Sequence, residues 1–171
     1  MSINFPEGTQ NLPAQILQVK QTVKQSTFSE TVNRNVETGS CGLDVTITPS
    51  TTSSKILLII QTSIGFITDD NVGFVLKRGS TTLTGYLPTG YSSRAPMAAA
   101  SATNSNAYMC QVSGNYLDSP STTSAVTYSV RLKYARGDDN RTLYLNRTEQ
   151  NDDASHKARS CSVITAMEVA S

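Results

Sequence analysis

Side chains able to act in catalysis are few in this sequence of 171 residues. His156 is the only histidine, it lies in the polar stretch NDDASHKARS, and no GxSxG pattern accompanies it to suggest a Ser–His–Asp arrangement. The acidic pairs Asp69–Asp70, Asp138–Asp139 and Asp152–Asp153 lack the alternating D-x-D-x-D spacing that lets carboxylates converge on a calcium ion. We therefore predict no catalytic residues and no metal site, and we interpret the histidine and the acidic pairs as solvated loop residues.

Residues suited to recognition are concentrated in the stretch GYLPTGYSSR, which glycine and proline interrupt. Tyr86, Tyr91 and Arg94 combine contact area with hydrogen-bonding groups, a pairing that is common at binding surfaces, and tyrosine rings also suit the faces of sugars. In the alternative interpretation, one tyrosine anchors the loop to the core and the other is merely exposed. A second irregular segment, 137–158, contains two of the acidic pairs. The candidate recognition residues are Tyr86, Tyr91, Arg94, Asp138 and Asp139.

The composition argues against several classes of protein. A net charge of +1 provides no field that would attract nucleic acid or an anionic membrane surface. No apolar run reaches the roughly 18 residues that a membrane-spanning helix needs, and the start MSINFPEGTQ shows no signal-peptide pattern. Cys41, Cys110 and Cys161 are odd in number and far apart, so we predict buried or half-buried reduced thiols rather than zinc ligands or disulfides. We expect a chain that is made soluble in a cytoplasm and needs no cofactor.

Hydrophobic periodicity predicts strands along most of the chain. In AVTYSVRLKY, apolar and aromatic residues alternate with polar ones, the period of a half-buried strand. KILLIIQTSIGF is apolar on both sides from Ile56 to Ile60, which predicts a central strand covered on both faces. Short strands between loops rich in Gly, Pro, Ser, Thr, Asn and Asp predict an all-β sandwich, jelly roll or barrel over residues 15–171. Residues 1–14, with two prolines and a glycine, indicate an extended arm that joins this domain to another component.

The final segment, CSVITAMEVA, is apolar on both of its sides. One side carries valines and a methionine, and the other carries an isoleucine and a small alanine. Such a strand fits between the core of its own chain and a subunit interface, whereas the alternative is an internal strand of a monomer. The candidate interface residues are Val163, Ile164, Ala166 and Met167.

The stretch PSTTS occurs twice, at 49–53 and at 120–124, each time between two predicted strands. Proline ends a strand because it has no backbone N–H to donate, and small hydroxyl side chains satisfy backbone groups in a turn. We interpret the two stretches as similar loops rather than as a repeated active element. We also predict that both lie at the same end of the sandwich.

Several segments together resemble a module of tail-fibre and other appendage proteins of tailed bacteriophages, including marine and cyanobacterial phages. These segments are QILQVKQT, DVTITPSTTSSKILL, NYLDSPSTTSAVTYSVRLKY, LYLNR and SVITAMEVA, and FPEGTQNLPA is similar to the lead-in of that module. The resemblance implies a non-enzymatic virion structural protein on a tail fibre, baseplate or similar appendage. With it we expect an antiparallel β-sandwich of jelly-roll type, similar to the trimeric globular heads of tumour-necrosis-factor-like proteins. The chain lacks shaft repeats, which leaves room for a short appendage or for a capsid or neck decoration protein.

The resemblance also implies partners for the chain. We expect a homotrimer that contacts other virion proteins through its N-terminal arm and a host surface glycan or protein elsewhere, with no nucleic acid and no membrane insertion. Two alternatives come from other classes of protein. A glycan-active enzyme or depolymerase needs at least two acidic residues that converge in a cleft. A carbohydrate-binding module predicts a monomer with an aromatic platform around Tyr86 and Tyr91.

Overall fold

A computed structural model of the chain describes residues 15–65, 70–90, 95–103, 107–135, 140–152 and 158–170. These residues form eleven strands and one short 3-10 turn at Thr84–Tyr86. The strands are β1 (Ile16–Lys24), β2 (Phe28–Val32), β3 (Asp44–Ile47), β4 (Lys55–Gly65), β5 (Asp70–Arg78), β6 (Thr81–Thr82), β7 (Ala99–Thr103), β8 (Met109–Asp118), β9 (Val126–Tyr134), β10 (Arg141–Leu145) and β11 (Ser162–Val169). The predicted N-terminal arm, residues 1–14, lies outside the described residues.

The strands form two sheets. Sheet A has β1, β11 and β4 side by side, with β8 on the other edge of β4 and with β10 and β2 extending the sheet. Sheet B has β3, β9 and β5 side by side, and both β6 and β7 pair with β5. All the pairings among the described strands are antiparallel. The predicted antiparallel all-β sandwich is thereby confirmed.

The core lies between the two sheets and is built from alternate residues of each strand. On β4, Ile56, Leu58 and Ile60 are fully buried, as Tyr128 and Leu132 are on β9. This arrangement follows from the period of two, which places every second side chain on the same face of a sheet. The strand β4 is central, as predicted, because β11 and β8 pair along its two edges.

The second apolar side of β4 was predicted to be covered, and this prediction is wrong within the residues that the structure describes. Ile59 is 37% exposed and Leu57 is only half-buried. No element of the described residues packs over them, because the two sheets cover each other on one side only. The apolar residues on this outer side are therefore available for contact.

Both PSTTS loops lie at one end of the sandwich, which we call the PSTTS end. The strand β3 ends and β9 begins there, because Ile47 pairs with Val126. The strand β4 begins and β8 ends at the same end, because Ile56 pairs with Asp118. Each loop thus crosses from one sheet to the other, and the predicted common placement of the two loops is confirmed.

Asn146 fills the corner at which β10 gives way to β11 along the edge of β4. It is fully buried and has a φ of 62°. Its Nδ2 donates to the carbonyl oxygens of Lys24 at 2.8 Å and Ser26 at 3.0 Å, and its Oδ1 accepts from Ser162 Oγ at 2.6 Å. Asparagine tolerates the left-handed conformation better than most residues, and here its amide is fully hydrogen-bonded. These bonds hold β1 to the start of β11 and so fix that edge of sheet A.

Candidate functional site

The outer surface of sheet A carries most of the large apolar side chains that the described residues expose. Four neighbouring strands contribute to it, namely β1, β11, β4 and β8. We call this surface the apolar face, and its members are Val19, Val23, Leu57, Ile59, Leu117, Val163, Met167 and Val169.

The pairing register arranges these side chains in rows across the four strands. Val19 lies opposite Met167, Met167 opposite Leu57, and Leu57 opposite Leu117. Direct partners in an antiparallel sheet point to the same side, with Cβ atoms about 4.5–5.5 Å apart. The row therefore forms a continuous apolar belt across the sheet.

The apolar face is exposed and almost uncharged. Val19 is 51% exposed, Val23 48% and Leu117 47%. Of the outward-facing described residues on these four strands, Lys55 at the margin is the one that bears a charge. The polar residues between the apolar ones are neutral, and Gln21 Nε2 donates to Thr165 Oγ1 at 3.0 Å within the face. Covering such a face removes apolar surface from water without burying unpaired charge.

The structure corrects the predicted interface residues on β11. Ile164 and Ala166 are fully buried inside the chain itself, where they pack in the core, so their side chains have no surface to offer a second subunit. Val163 and Met167 point outward and are half-buried within the apolar face. The pattern of the strand is apolar on both sides, so the sequence showed that two apolar surfaces exist but did not show which one faces the core.

Sequence reasoning missed the members of the apolar face on the other strands. Val19, Leu57 and Ile59 were not among the candidate residues, and neither was Leu117. The signal was present in KILLII, which is apolar on both sides, but a second layer of the same chain was expected to cover it. The weak alternation of QILQVKQTV and the single leucine of GNYLD gave no such signal.

Tyr86 is half-buried and anchors the 3-10 turn to the core. Its ring lies 5.3 Å from the ring of Tyr116 and 6.5 Å from that of Phe74, measured between centroids. Burial raises the pKa of its phenol, and a backbone hydrogen bond at Asn115 partly opposes this. A Cβ on Gly114 would overlap the Tyr86 hydroxyl, so glycine is needed there for the ring to fit. This placement matches the alternative in which one tyrosine holds the loop to the core.

The other candidate recognition residues lie outside the described residues. They are Tyr91, Arg94, Asp138 and Asp139, and His156 is also among the residues not described. The strand β9, which precedes the acidic pair, ends at Tyr134, at the end of the sandwich opposite the PSTTS loops. A role of these residues in recognition stays a prediction.

A buried carboxylate holds the first PSTTS loop. Glu168 is fully buried, and its oxygens accept from Ser50 N, Ser50 Oγ and Gln18 Nε2, each at 2.6 Å. Burial by itself raises the pKa of Glu168, but the hydrogen bonds from Ser50, Gln18 and Ser54 outweigh burial and lower it to about 2. The carboxylate is thus ionised and its acceptor positions are occupied by structural donors.

A second buried carboxylate precedes the other PSTTS loop. Asp118 accepts from the Tyr128 hydroxyl at 2.7 Å and from Arg78 Nη1 at 2.9 Å and 3.1 Å. Burial, together with the hydrogen bond to Asp118, raises the pKa of Tyr128. Both carboxylates therefore tie a loop to the sandwich, and structural donors bind their oxygens.

The three thiols differ in exposure. Cys41 is buried, its Sγ donates to the carbonyl oxygen of Val130 at 3.1 Å, and burial raises its pKa. Cys110 is half-buried, but Cys161 is exposed, which corrects the prediction that all three would be sheltered. All three are free, as predicted.

The described residues contain neither a metal-ligand cluster nor a membrane-spanning helix. No group of three or more His, Cys, Asp or Glu residues there is placed to hold a metal ion. Within the same residues, no helix is long and apolar enough to cross a membrane. Comparison of the sequence with protein-family models and with curated proteins finds no match.

Proposed function

We propose that this chain is a non-enzymatic structural protein of a phage virion, part of a tail fibre or a short tail or baseplate appendage, and that it acts as a homotrimer. The observation that carries the proposal is the apolar face. A sandwich already buries one side of each sheet in its core, and sheet A has a second apolar side that the described chain leaves uncovered. We assign further copies of the same chain as the partners that bind to this apolar side.

A second copy suits this surface better than a charged partner does. The face is neutral apart from Lys55, so it can meet another neutral, apolar surface without leaving a charge unpaired. Four strands about 4.8 Å apart and about seven residues long give a footprint on the order of 500 Å². This footprint is of the same order as the roughly 800 Å² per partner that a stable interface buries. A closed ring of copies satisfies every such face at once, whereas an exposed apolar belt promotes uncontrolled aggregation.

The order of the strands supports the jelly-roll part of the proposal. If β2, β6 and β10 are set aside, eight strands remain, and sheet A has the order first, eighth, third and sixth. Sheet B then has the order second, seventh, fourth and fifth. Two interlocked Greek keys produce this arrangement in eight-stranded jelly rolls, the architecture that we expect for a trimeric head.

The two ends of the sandwich suit attachment and recognition respectively. Both described ends of the chain lie at the PSTTS end, where Ala170 N donates to the carbonyl oxygen of Gln15 at 2.8 Å. The N-terminal arm therefore leads into the domain at that end. The strands that flank segments 66–69 and 136–139 end at the opposite end. We assign virion attachment to the PSTTS end and contact with the host to the opposite end.

Measurement of the mass in solution tests the proposal. We expect the purified chain to have three times the monomer mass by light scattering or native mass spectrometry. Leu117→Glu places a charge at the β8 end of the apolar belt on a side chain that is already exposed, so the variant should fold but should be a monomer. Thr46→Glu is the matched control, because it places the same charge on an exposed position on the outside of sheet B.

Two results would contradict the proposal. A wild-type chain that is monomeric at micromolar concentration and binds a soluble glycan would favour the carbohydrate-binding module instead. A trimer that Leu117→Glu leaves intact would show that the copies meet elsewhere. Retained strand content in the circular dichroism spectrum of both variants ensures that a lost trimer is not simply a lost fold.

A further inference from the structure

A pocket lined by both polar and apolar groups lies beside the apolar face, towards the end opposite the PSTTS loops. It has a volume of about 360 Å³ and is open to solvent on one side. Ser63 and Gln111, which are direct partners on β4 and β8, line it together with residues 158–160. The lining side chains that could contact a ligand are Ser63, Met109, Gln111, Ala158, Arg159 and Ser160. The volume is suited to one or two sugar rings.

The hydrogen-bonding groups of the pocket are of the kind that sugars use. Ser63 Oγ donates to Ser160 Oγ at 2.9 Å, so the two hydroxyls lie side by side and keep acceptor lone pairs. The Gln111 amide is exposed at the rim and provides both a donor and an acceptor. Met109 and Ala158 supply apolar surface between these polar groups. A hydroxylated ligand with one apolar side fits such a lining.

Arg159 adds a positive charge to the lining of the pocket. Its Nη2 donates to Asn151 Oδ1 at 3.2 Å, and its backbone forms an isolated antiparallel bridge with Arg147. Arg147 in turn lies 4.9 Å over the centre of the Tyr144 ring. The ion pairs recorded for the described residues are Lys77–Glu37 and Arg78–Asp118, neither of which involves Arg159. A guanidinium is a planar fork of N–H donors that matches a carboxylate.

We propose that this pocket binds a carboxylate-bearing sugar, such as a hexuronate unit of an acidic polysaccharide on the host surface. Arg159 binds the carboxylate, while Ser63, Ser160 and Gln111 contact ring hydroxyls. This inference rests on the proposed function, because it gives the host-contact end of the appendage a ligand. The pocket lies beyond the row of Gln61 and Ser113 on the polar part of the sheet, so trimerisation through the apolar belt leaves it at the rim of the contact.

Titration of the full chain with three probes tests the pocket. The probes are a short oligosaccharide of glucuronate, an oligosaccharide of glucose of the same length, and acetate, with binding followed by calorimetry or by chemical shifts. We expect saturable binding of the glucuronate oligosaccharide with a Kd on the order of 1 mM, and binding of the other two probes that is at least about tenfold weaker. Acetate separates recognition of a sugar from recognition of any free carboxylate.

Variants of exposed residues locate the binding. Arg159→Gln should weaken glucuronate binding by about tenfold or more, and Gln111→Ala should weaken it less, because a charge-assisted fork is stronger than one neutral hydrogen bond. Lys55→Gln is the matched control, since it removes a positive charge from the same sheet at the PSTTS end, and it should bind as the wild type does.

Three outcomes would contradict the proposal that the pocket binds an acidic sugar. They are no saturable binding of the glucuronate oligosaccharide, equally strong binding of the glucose oligosaccharide or acetate, and binding of the glucuronate oligosaccharide that Arg159→Gln leaves unchanged. None of these outcomes depends on the oligomeric state. A trimer that does not bind the acidic sugar contradicts the pocket alone, whereas a monomer that binds it supports the pocket but contradicts the proposed function and favours the carbohydrate-binding module.

Discussion

The two outer surfaces of the sandwich differ in chemistry although their strands alternate in the same way. The outside of sheet B carries Asp44, Lys77, Arg131 and Lys133, and Lys77 Nζ lies 2.8 Å from Glu37 Oε2. The outside of sheet A carries the apolar belt and one charge at its margin. A sandwich needs only one apolar side on each sheet, so folding of the single chain accounts for sheet B but not for the second apolar side of sheet A. The second apolar side of sheet A is therefore the surface to which we propose that further copies of the chain bind.

The strand β11 shows the same contrast within neighbouring residues. Ile164 and Glu168 point inward and are fully buried, whereas Val163 and Met167 point outward. The single charge of this strand is thus on its inner side, where hydrogen bonds from the first PSTTS loop and from Gln18 satisfy it. On β11 the charged side chain therefore faces the core and apolar side chains face outward. This is the reverse of the pattern expected for a sheet whose outer side faces solvent.

The largest expected effect on stability comes from the inner side of β11, and the outer side of the same strand provides the comparison. Ile164→Ala should lower the free energy of unfolding by about 2–5 kcal/mol, because it removes buried methyl groups and leaves a cavity. Val163→Ala should cost less than about 1 kcal/mol in the dissociated chain, because that side chain is partly in water already. Urea unfolding at a concentration where the chain is monomeric measures both. Equal losses would mean that the outer side is packed as tightly as the core.

The second-largest expected effect on stability comes from Glu168, the inward-facing charge of β11. Glu168→Gln should lower the free energy of unfolding by about 1–3 kcal/mol, because the amide cannot accept every hydrogen bond that the carboxylate accepts. The folded pKa is lowered from 4.5 to about 2, so the wild type should have this stabilisation in full above pH 4.5 and should lose it as the pH falls towards 2. Urea unfolding across this pH range measures it. The variant should lack this part of the pH dependence, and a variant that keeps it would point to another carboxylate.

The smallest effect concerns the charged outside of sheet B. Glu37→Gln removes the ion pair with Lys77. The Glu37 side chain is 25% exposed and the Lys77 side chain 21%. We expect a loss of no more than about 1 kcal/mol, which salt reduces further, because partly exposed ion pairs gain little over their hydrated state. Thermal unfolding at low and high salt provides the measurement. A loss much larger than this would show that the charges on sheet B are structural, and the contrast between the surfaces would then need another explanation.

Particular residues show how far the sequence could be interpreted. The alternation in β9 correctly separated Tyr128 and Leu132 from Arg131 and Lys133, because one side of that strand is apolar and the other is polar. The proline and hydroxyl residues of PSTTS correctly indicated loops. Tyr86 could not be assigned, since a tyrosine in an irregular segment has the same sequence signal whether it packs on the core or faces solvent. The pocket around Arg159 could not be predicted from the sequence either, because Ser63 and Gln111 are 48 positions apart and meet only through the pairing of β4 and β8.

The sequence by itself determined that this chain forms strands, where several of them run, and which segments connect them. Those properties depend on side chains that are one or two positions apart, and their pattern can be read directly. Only the tertiary structure decided which side of β4 and β11 became core and which became the apolar face. Both sides of these strands are apolar, so the choice depends on which distant strands pair with them and on the side from which sheet B packs, and neither is encoded in the local pattern.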